Sequence, residues 1–141
     1  MSITFKILPA SEILIILPLL KELGSADVSE EIIQERLLEM AEQHYECIGI
    51  YDESTLVGAC GMWFQTRHYA GKSVEVDHVI ITATHRSKGI GKLLMEFVYA
   101  YARSKSCNWV ELNTFVDNFP SHKFYYNEGF VGKGYHFVKP L

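Results

Sequence analysis

The stretch Val79-Ile80-Ile81-Thr82-Ala83-Thr84-His85-Arg86-Ser87-Lys88-Gly89-Ile90-Gly91-Lys92-Leu93-Leu94 passes from a β-branched run through a polar turn into an apolar helical pattern. Gly89 and Gly91 fall at the predicted helix start, where a glycine costs about 1 kcal/mol against alanine. A bound anion would offset that cost. Helix N-terminal N–H groups are unpaired and lie at the positive end of the dipole. A pyrophosphate can rest on them when no Cβ intervenes, and Arg86 and Lys88 add charge beside the same oxygens. Two nucleotide signatures fail at this turn. A P-loop needs Gly at 86 and Ser or Thr at 93, where Arg and Leu stand. A Rossmann fingerprint needs Gly at 94, which is Leu, and normally follows the first strand of a βαβ unit. What remains is Arg86-x-x-Gly89-x-Gly91, which by itself suits a pyrophosphate or a plain glycine-rich helix start equally well.

Outward from the turn, Ile90, Leu93, Leu94, Phe97, Val98 and Tyr101 recur at helical spacing and predict a helix over 89–105. Strands are predicted over 73–82 before it and 109–115 after it. Further upstream, 46–52 and 56–66 form a hairpin across Asp52-Glu53-Ser54-Thr55. At the N-terminus, 3–8 alternates as a strand ended by Pro9. Ser11 caps a helix over 12–23, started late or kinked by Pro18 and ended by Gly24. Ser29 opens a second helix to about 44, with Ile32, Ile33, Leu37 and Met40 inward. A short helix over 121–127 and a last strand over 130–138 complete the chain. The order β-α-α-β-β-β-α-β-α-β implies an α+β fold whose mixed, mostly antiparallel sheet is flanked by helices.

At 141 residues the chain is the size of one domain, 1–141. Its 48% hydrophobic and 21% charged residues suit a soluble globular protein. A net charge of −4 argues against a nucleic-acid partner. Cys47, Cys60 and Cys107 are odd in number and lack metal or disulfide spacing, which points to reduced thiols in a cytoplasm and to no metal site. The longest apolar run, Ile13 to Leu20, is broken by Pro18 and falls short of the ~20 residues of a membrane span. No basic segment precedes it, so it does not read as a signal peptide, and no membrane partner is expected.

Downstream stands Asn118-Phe119-Pro120-Ser121-His122-Lys123-Phe124-Tyr125-Tyr126-Asn127-Glu128-Gly129-Phe130. Arg86-x-x-Gly89-x-Gly91 resembles motif A of the GNAT N-acetyltransferases. The downstream segment is similar to their motif B, Asn-x-x-Ala/Ser-x-x-Phe-Tyr-x-x-x-Gly-Phe. The two stand in the family's order, one helix and one strand apart, and the resemblance covers essentially the whole chain.

The resemblance implies a GNAT fold and acetyl-CoA as cosubstrate. It implies that the turn Arg86, Ser87, Lys88, Gly89, Ile90, Gly91 and Lys92 holds the pyrophosphate. The pantetheine arm would pair with the backbone of Val79, Ile80 and Ile81, with the Val79 N–H facing the thioester oxygen. Asn118 and Ser121 would contact that arm or cap the short helix. Tyr125 corresponds to the family's tyrosine near the sulfur, a candidate general acid, since a phenol of ordinary pKa ~10 is protonated at neutral pH. Asp77 stands where many members carry a glutamate base, with a shorter reach. Glu75 lies two residues earlier on the same face by alternation. A carboxylate needs burial or a water relay to deprotonate an amine. His78, by the same alternation, points to the opposite face and reads as a packed or hydrogen-bonded histidine rather than a catalyst.

The acceptor implied is a primary amine of a small molecule, held between segments 22–29 and 65–72 with Asp27, Arg67, His68 and Tyr69. Likenesses to aminoalkylphosphonate and to diamine acetyltransferases pull in different directions, so its identity stays open. A homodimer is compatible with the family. The alternatives are a protein N-terminal or lysine acetyltransferase and a non-catalytic acyl-CoA-binding domain. No cysteine occupies an evident nucleophile position, which favours direct attack of the amine.

Overall fold

Tyr45–Asp52 (β2) and Thr55–Arg67 (β3) pair as the expected hairpin, and Gly71–Ile81 (β4) folds back antiparallel on β3. In the computed structural model, which describes residues 1–23 and 27–141, Ile3–Ile7 (β1) pairs antiparallel with β2. After the helix Ile90–Ser104 (α3), Trp109–Leu112 (β5) joins the other edge, giving the order β1-β2-β3-β4-β5. The Asn108 N–H donates to the Lys72 carbonyl at 2.7 Å. Strand β5 therefore starts at the end where β4 starts, and the helical crossover makes the two parallel. The sheet is mixed and mostly antiparallel, as expected. The chain divides into two compact units, Met1–Glu111 and Leu112–Leu141.

In the first unit, Ala10–Ile16 is a 3₁₀ helix that passes into Leu17–Glu22 (α1), with Pro18 in the first α turn. Proline lacks an N–H, and the first turn is where none is needed. The stop expected at Gly24 lies outside the described residues. Helix Glu30–Ala41 (α2) is capped by Ser29, whose Oγ accepts the Ile32 N–H at 3.3 Å.

These N-terminal helices cover one sheet face, where Ile13, Ile16, Leu19, Leu37, Cys47, Ala59 and Ile80 are buried together. Ile33 and Met40 are partly buried there, but Ile32, expected inside, is 42% exposed. It lies about 100° round the helix from Ile33, outside the arc the sheet covers. Helix α3 covers the other face. Phe5, paired with Ile50, brings its ring 5.4 Å from that of Phe97. Ile48, Ile50, Cys60 and Met62 alternate onto this side and are buried, opposite Leu94, Met95, Val98 and Ala102. Leu93 of the expected stripe is exposed because the buried arc is turned towards Met95 and Ala102. Each such aliphatic side chain contributes about 1.5–3 kcal/mol on burial. Two packed layers thus hold β4 from both sides.

The second unit holds the helix Phe119–Asn127 (α4). The strand expected over 130–138 is not formed, and residues 130–141 belong to no strand or helix. Alternation indicates only propensity; a strand exists through backbone pairing, and Gly132 and Gly134 weaken the tendency here.

Candidate active site

Strict alternation along β4 breaks at one place. Cys60 pairs with Val79 and Met62 with Val76, so Gly61 faces two residues, Asp77 and His78. This β-bulge turns both onto one side of the sheet. Tyr45, Trp63 and Glu75 are cross-strand partners on that side. The Trp63 indole Nε1–H donates to Asp77 Oδ2 at 2.9 Å, and the Tyr45 hydroxyl lies 2.5 Å from His78 Nε2. The Tyr45 and Trp63 rings stack obliquely with centroids 4.9 Å apart. The expectation that His78 points away from Asp77 is therefore corrected, because the extra bulge residue resets the alternation. Gly61 permits it: a Cβ there would stand 2.4 Å from His78 Nε2.

Burial lowers the pKa of His78, although the Asp77 charge opposes this, and burial above all raises that of Tyr45. A histidine with a depressed folded pKa binds fewer protons folded than unfolded below its ordinary value of 6.5. Its contribution is present above that value and is lost as pH falls towards the folded pKa. Stability should decline on acidification below pH 6.5, by at most about 1.4 kcal/mol per pH unit from this group. Denaturation midpoints of the wild type and His78→Gln across that range check this; an equal slope in both refutes it.

A groove of about 600 Å³ opens beside this cluster, lined by Gln43, His44, Trp63, Phe64, Gln65 and Glu75. Of the residues expected to meet an acceptor, Arg67 is held by Glu111 at 2.8 Å. His68 and Tyr69 stack edge to face, with Tyr69 exposed, and Asp27 is exposed. Glu30 pairs with Lys21 at 2.6 Å, an ordinary helix-start ion pair. Nothing in the sequence singled out Tyr45 or Trp63, since both read as ordinary strand formers.

Beyond Ile81 the chain makes a short 3₁₀ turn, Ala83–His85, tied down by His85 Nε2 to Asp52 Oδ2 at 2.9 Å. Arg86 then turns back, donating from Nε to the Ile81 carbonyl at 2.9 Å. Ser87 has φ 60° and Gly89 φ 79°, and Gly89 is the N-cap of α3. Ser87, Lys88, Gly89 and Lys92 are exposed, whereas Ile90 is buried in the core and Gly91 half-buried. A Cβ at Gly89 would meet nothing within 4 Å. Its left-handed φ is what favours glycine there, and the space around it leaves the first N–H groups of α3 open to an anion. The residues present fit a pyrophosphate. On β4, Val79 pairs with Cys60, Ile80 with Ala59 and Ile81 with Gly58.

In the second unit, Asn118 Oδ1 accepts the Ser121 N–H at 3.4 Å, so the pair caps α4. The helix stops in a Schellman motif: Gly129 N–H reaches the Tyr126 carbonyl at 3.1 Å and Phe130 N–H the Tyr125 carbonyl at 3.0 Å. The Phe130 and Tyr125 rings meet at 5.6 Å, the apolar contact that accompanies this motif. The Gly129-Phe130 pair is thus a helix stop, a signal legible in the sequence as glycine followed by an apolar residue.

The environment of each thiol disfavours the thiolate. Burial pushes Cys47 up to about 11 and Cys60 higher, and Cys107 is also raised. Among the described residues no cluster of His, Cys, Asp and Glu could hold a metal ion, and no helix is long and apolar enough to cross a membrane.

The chain is 26% identical over 125 residues, 88% of each protein, to the N-acetyltransferase YhdJ of Bacillus subtilis (strain 168). Its fold matches the ribosomal-protein-alanine N-acetyltransferase of Brucella melitensis biovar Abortus 2308 with a TM-score of 0.82 at 19% identity, covering 99% of both chains. It matches the aminoglycoside N-acetyltransferase AAC(6')-Iy, solved in complex with CoA, with a TM-score of 0.83 at 14% identity, over 99% of this chain and 95% of that one. The sequence profile described as "Acetyltransferase (GNAT) family" matches residues 16–130. With the glycine turn at the start of α3 and the bulged strand before it, that match establishes that the chain belongs to the GNAT acetyltransferase family.

Proposed function

We propose that this enzyme transfers the acetyl group of acetyl-CoA to a primary amine of a small molecule by direct attack on the thioester. The observation that carries the reading is the exposed turn Ser87–Gly89 leading into the open N-terminus of α3. The backbone N–H groups there and the charges of Arg86, Lys88 and Lys92 suit the cosubstrate's pyrophosphate. By family position, the backbone of Val79, Ile80 and Ile81 aligns the pantetheine arm, with the Val79 N–H polarising the thioester carbonyl. Asn118 and Ser121, beyond capping α4, are assigned contacts to the same arm.

Asp77 accepts the ammonium proton, directly or through water, and the freed amine forms the new C–N bond as the C–S bond breaks. Tyr125 supplies a proton to the departing thiolate, and the second proton shed by the acylated nitrogen passes to water, from which Tyr125 recovers its own. The raised pKa of all three cysteines supports direct attack over an acyl-enzyme. Among the described residues, the groove beside Asp77 is lined by Glu75, two amides, His44, Trp63 and Phe64, without a Lys or Arg, which favours a cationic acceptor.

Thermal denaturation with acetyl-CoA, ATP or NADH tests the donor. Acetyl-CoA at ~100 times its Kd should add about 2.7 kcal/mol of stability. No shift with it, or a larger one with ATP, overturns the reading. CoA thiol release over a panel of polyamines, aminoalkylphosphonates, amino acids, aminoglycosides and peptides then separates small-molecule from protein acceptors. Tight acetyl-CoA binding with no release across the panel would mark a non-catalytic domain.

A further inference from the structure

We propose that Trp63 is a positioning residue for Asp77: its indole N–H holds one carboxylate oxygen while its ring walls the groove that receives the acceptor amine. This rests on the assignment of Asp77 as the base. Asp77 is exposed, and a free aspartate samples several rotamers, only some of which reach a bound ammonium. Its Oδ2 accepts the Trp63 Nε1–H at 2.9 Å. That contact fixes the side chain and leaves Oδ1 available to take a proton.

The indole is in turn anchored from the core. Its ring rests against Tyr45, which is 5% exposed and is tied through its hydroxyl to His78. The bulge at Gly61 makes that tie possible. Order thus runs from the buried Tyr45 and its half-buried partner His78 through Trp63 to an exposed carboxylate, so the carboxylate is oriented on folding rather than in each turnover. The same ring lines the groove with Glu75, which joins the positioned oxygen to the place where a cationic acceptor would lie.

Trp63→Phe deletes the donor and keeps an aromatic wall, though a smaller one than the indole. Expected is a fall in kcat of roughly 10- to 100-fold with the KM for acetyl-CoA unchanged. Combined with Asp77→Asn, it should cost little beyond Asp77→Asn alone. A second readout needs no turnover. The chain has two tryptophans, hence two indole N–H resonances, and Trp109 donates to the Ala70 carbonyl at 2.7 Å. Asp77→Asn should move the resonance that Trp63→Phe deletes and leave the other in place.

Full activity of Trp63→Phe beside a slow Asp77→Asn sinks the Trp63 assignment alone. So do multiplying effects in the double variant, or an unmoved Trp63 resonance. Full activity of Asp77→Asn sinks the base assignment and this proposal with it.

Discussion

Replacing Tyr125 with phenylalanine should lower kcat for acetyl transfer roughly 100-fold or more while leaving acetyl-CoA affinity nearly intact. The substitution removes the hydroxyl and keeps the ring. Tyr125 packs its ring against Phe124 at 5.2 Å and Phe130 at 5.6 Å, and its carbonyl receives the Phe130 N–H of the helix stop. Phenylalanine retains all three contacts. On the role proposed for Tyr125, what is lost is the proton donor for the leaving thiolate. CoA thiol release measured with an accepted amine gives kcat, and calorimetric titration gives affinity. Unchanged turnover would reduce Tyr125 to a packing residue.

Gly61→Ala should destabilise the protein by about 1–3 kcal/mol, the usual cost of overpacking. The new methyl would stand 2.4 Å from His78 Nε2, 2.7 Å from its Cδ2 and 2.9 Å from Tyr45 Cε2. Both rings are pinned to each other and to neighbouring strands, so neither can swing clear as a flexible chain end would. Relief requires breaking the Tyr45–His78 hydrogen bond or flattening the bulge, and either disturbs Asp77. Denaturant melts of Gly61→Ala, His78→Ala and the double variant check this. With the imidazole gone, the added methyl should cost far less. An equal cost in both backgrounds would show that the contact is not the cause.

Much of the architecture was legible because local chemistry and tertiary demand agree. Ser29 caps α2, Pro18 sits in the first turn of α1, and Ile90, Leu94 and Val98 bury one face of α3. The misjudged positions share a physical cause. Ile32 and Leu93 are apolar and lie beside helix stripes, but which part of the arc meets the sheet is set by docking. The strand expected over 130–138 has the alternation of a strand without one being formed there. Pairing is a property of two segments, and one segment's pattern cannot supply its partner.

The site divides in the same way. From the residues alone came the family and the glycine turn at Arg86–Gly91, because motifs record chemistry that tolerates few residue types; Asp77 and Tyr125 come from the same motifs and stand as proposals. Glycine at 89 was expected to clear a path for a ligand; in the fold it also answers a left-handed φ of 79°. Only the tertiary structure brought Tyr45, Trp63, Asp77 and His78 onto one face. Sequence periodicity assumes an unbroken two-residue repeat, and the bulge opposite Gly61 adds one residue to one strand, which reverses that count where the chemistry is proposed to occur.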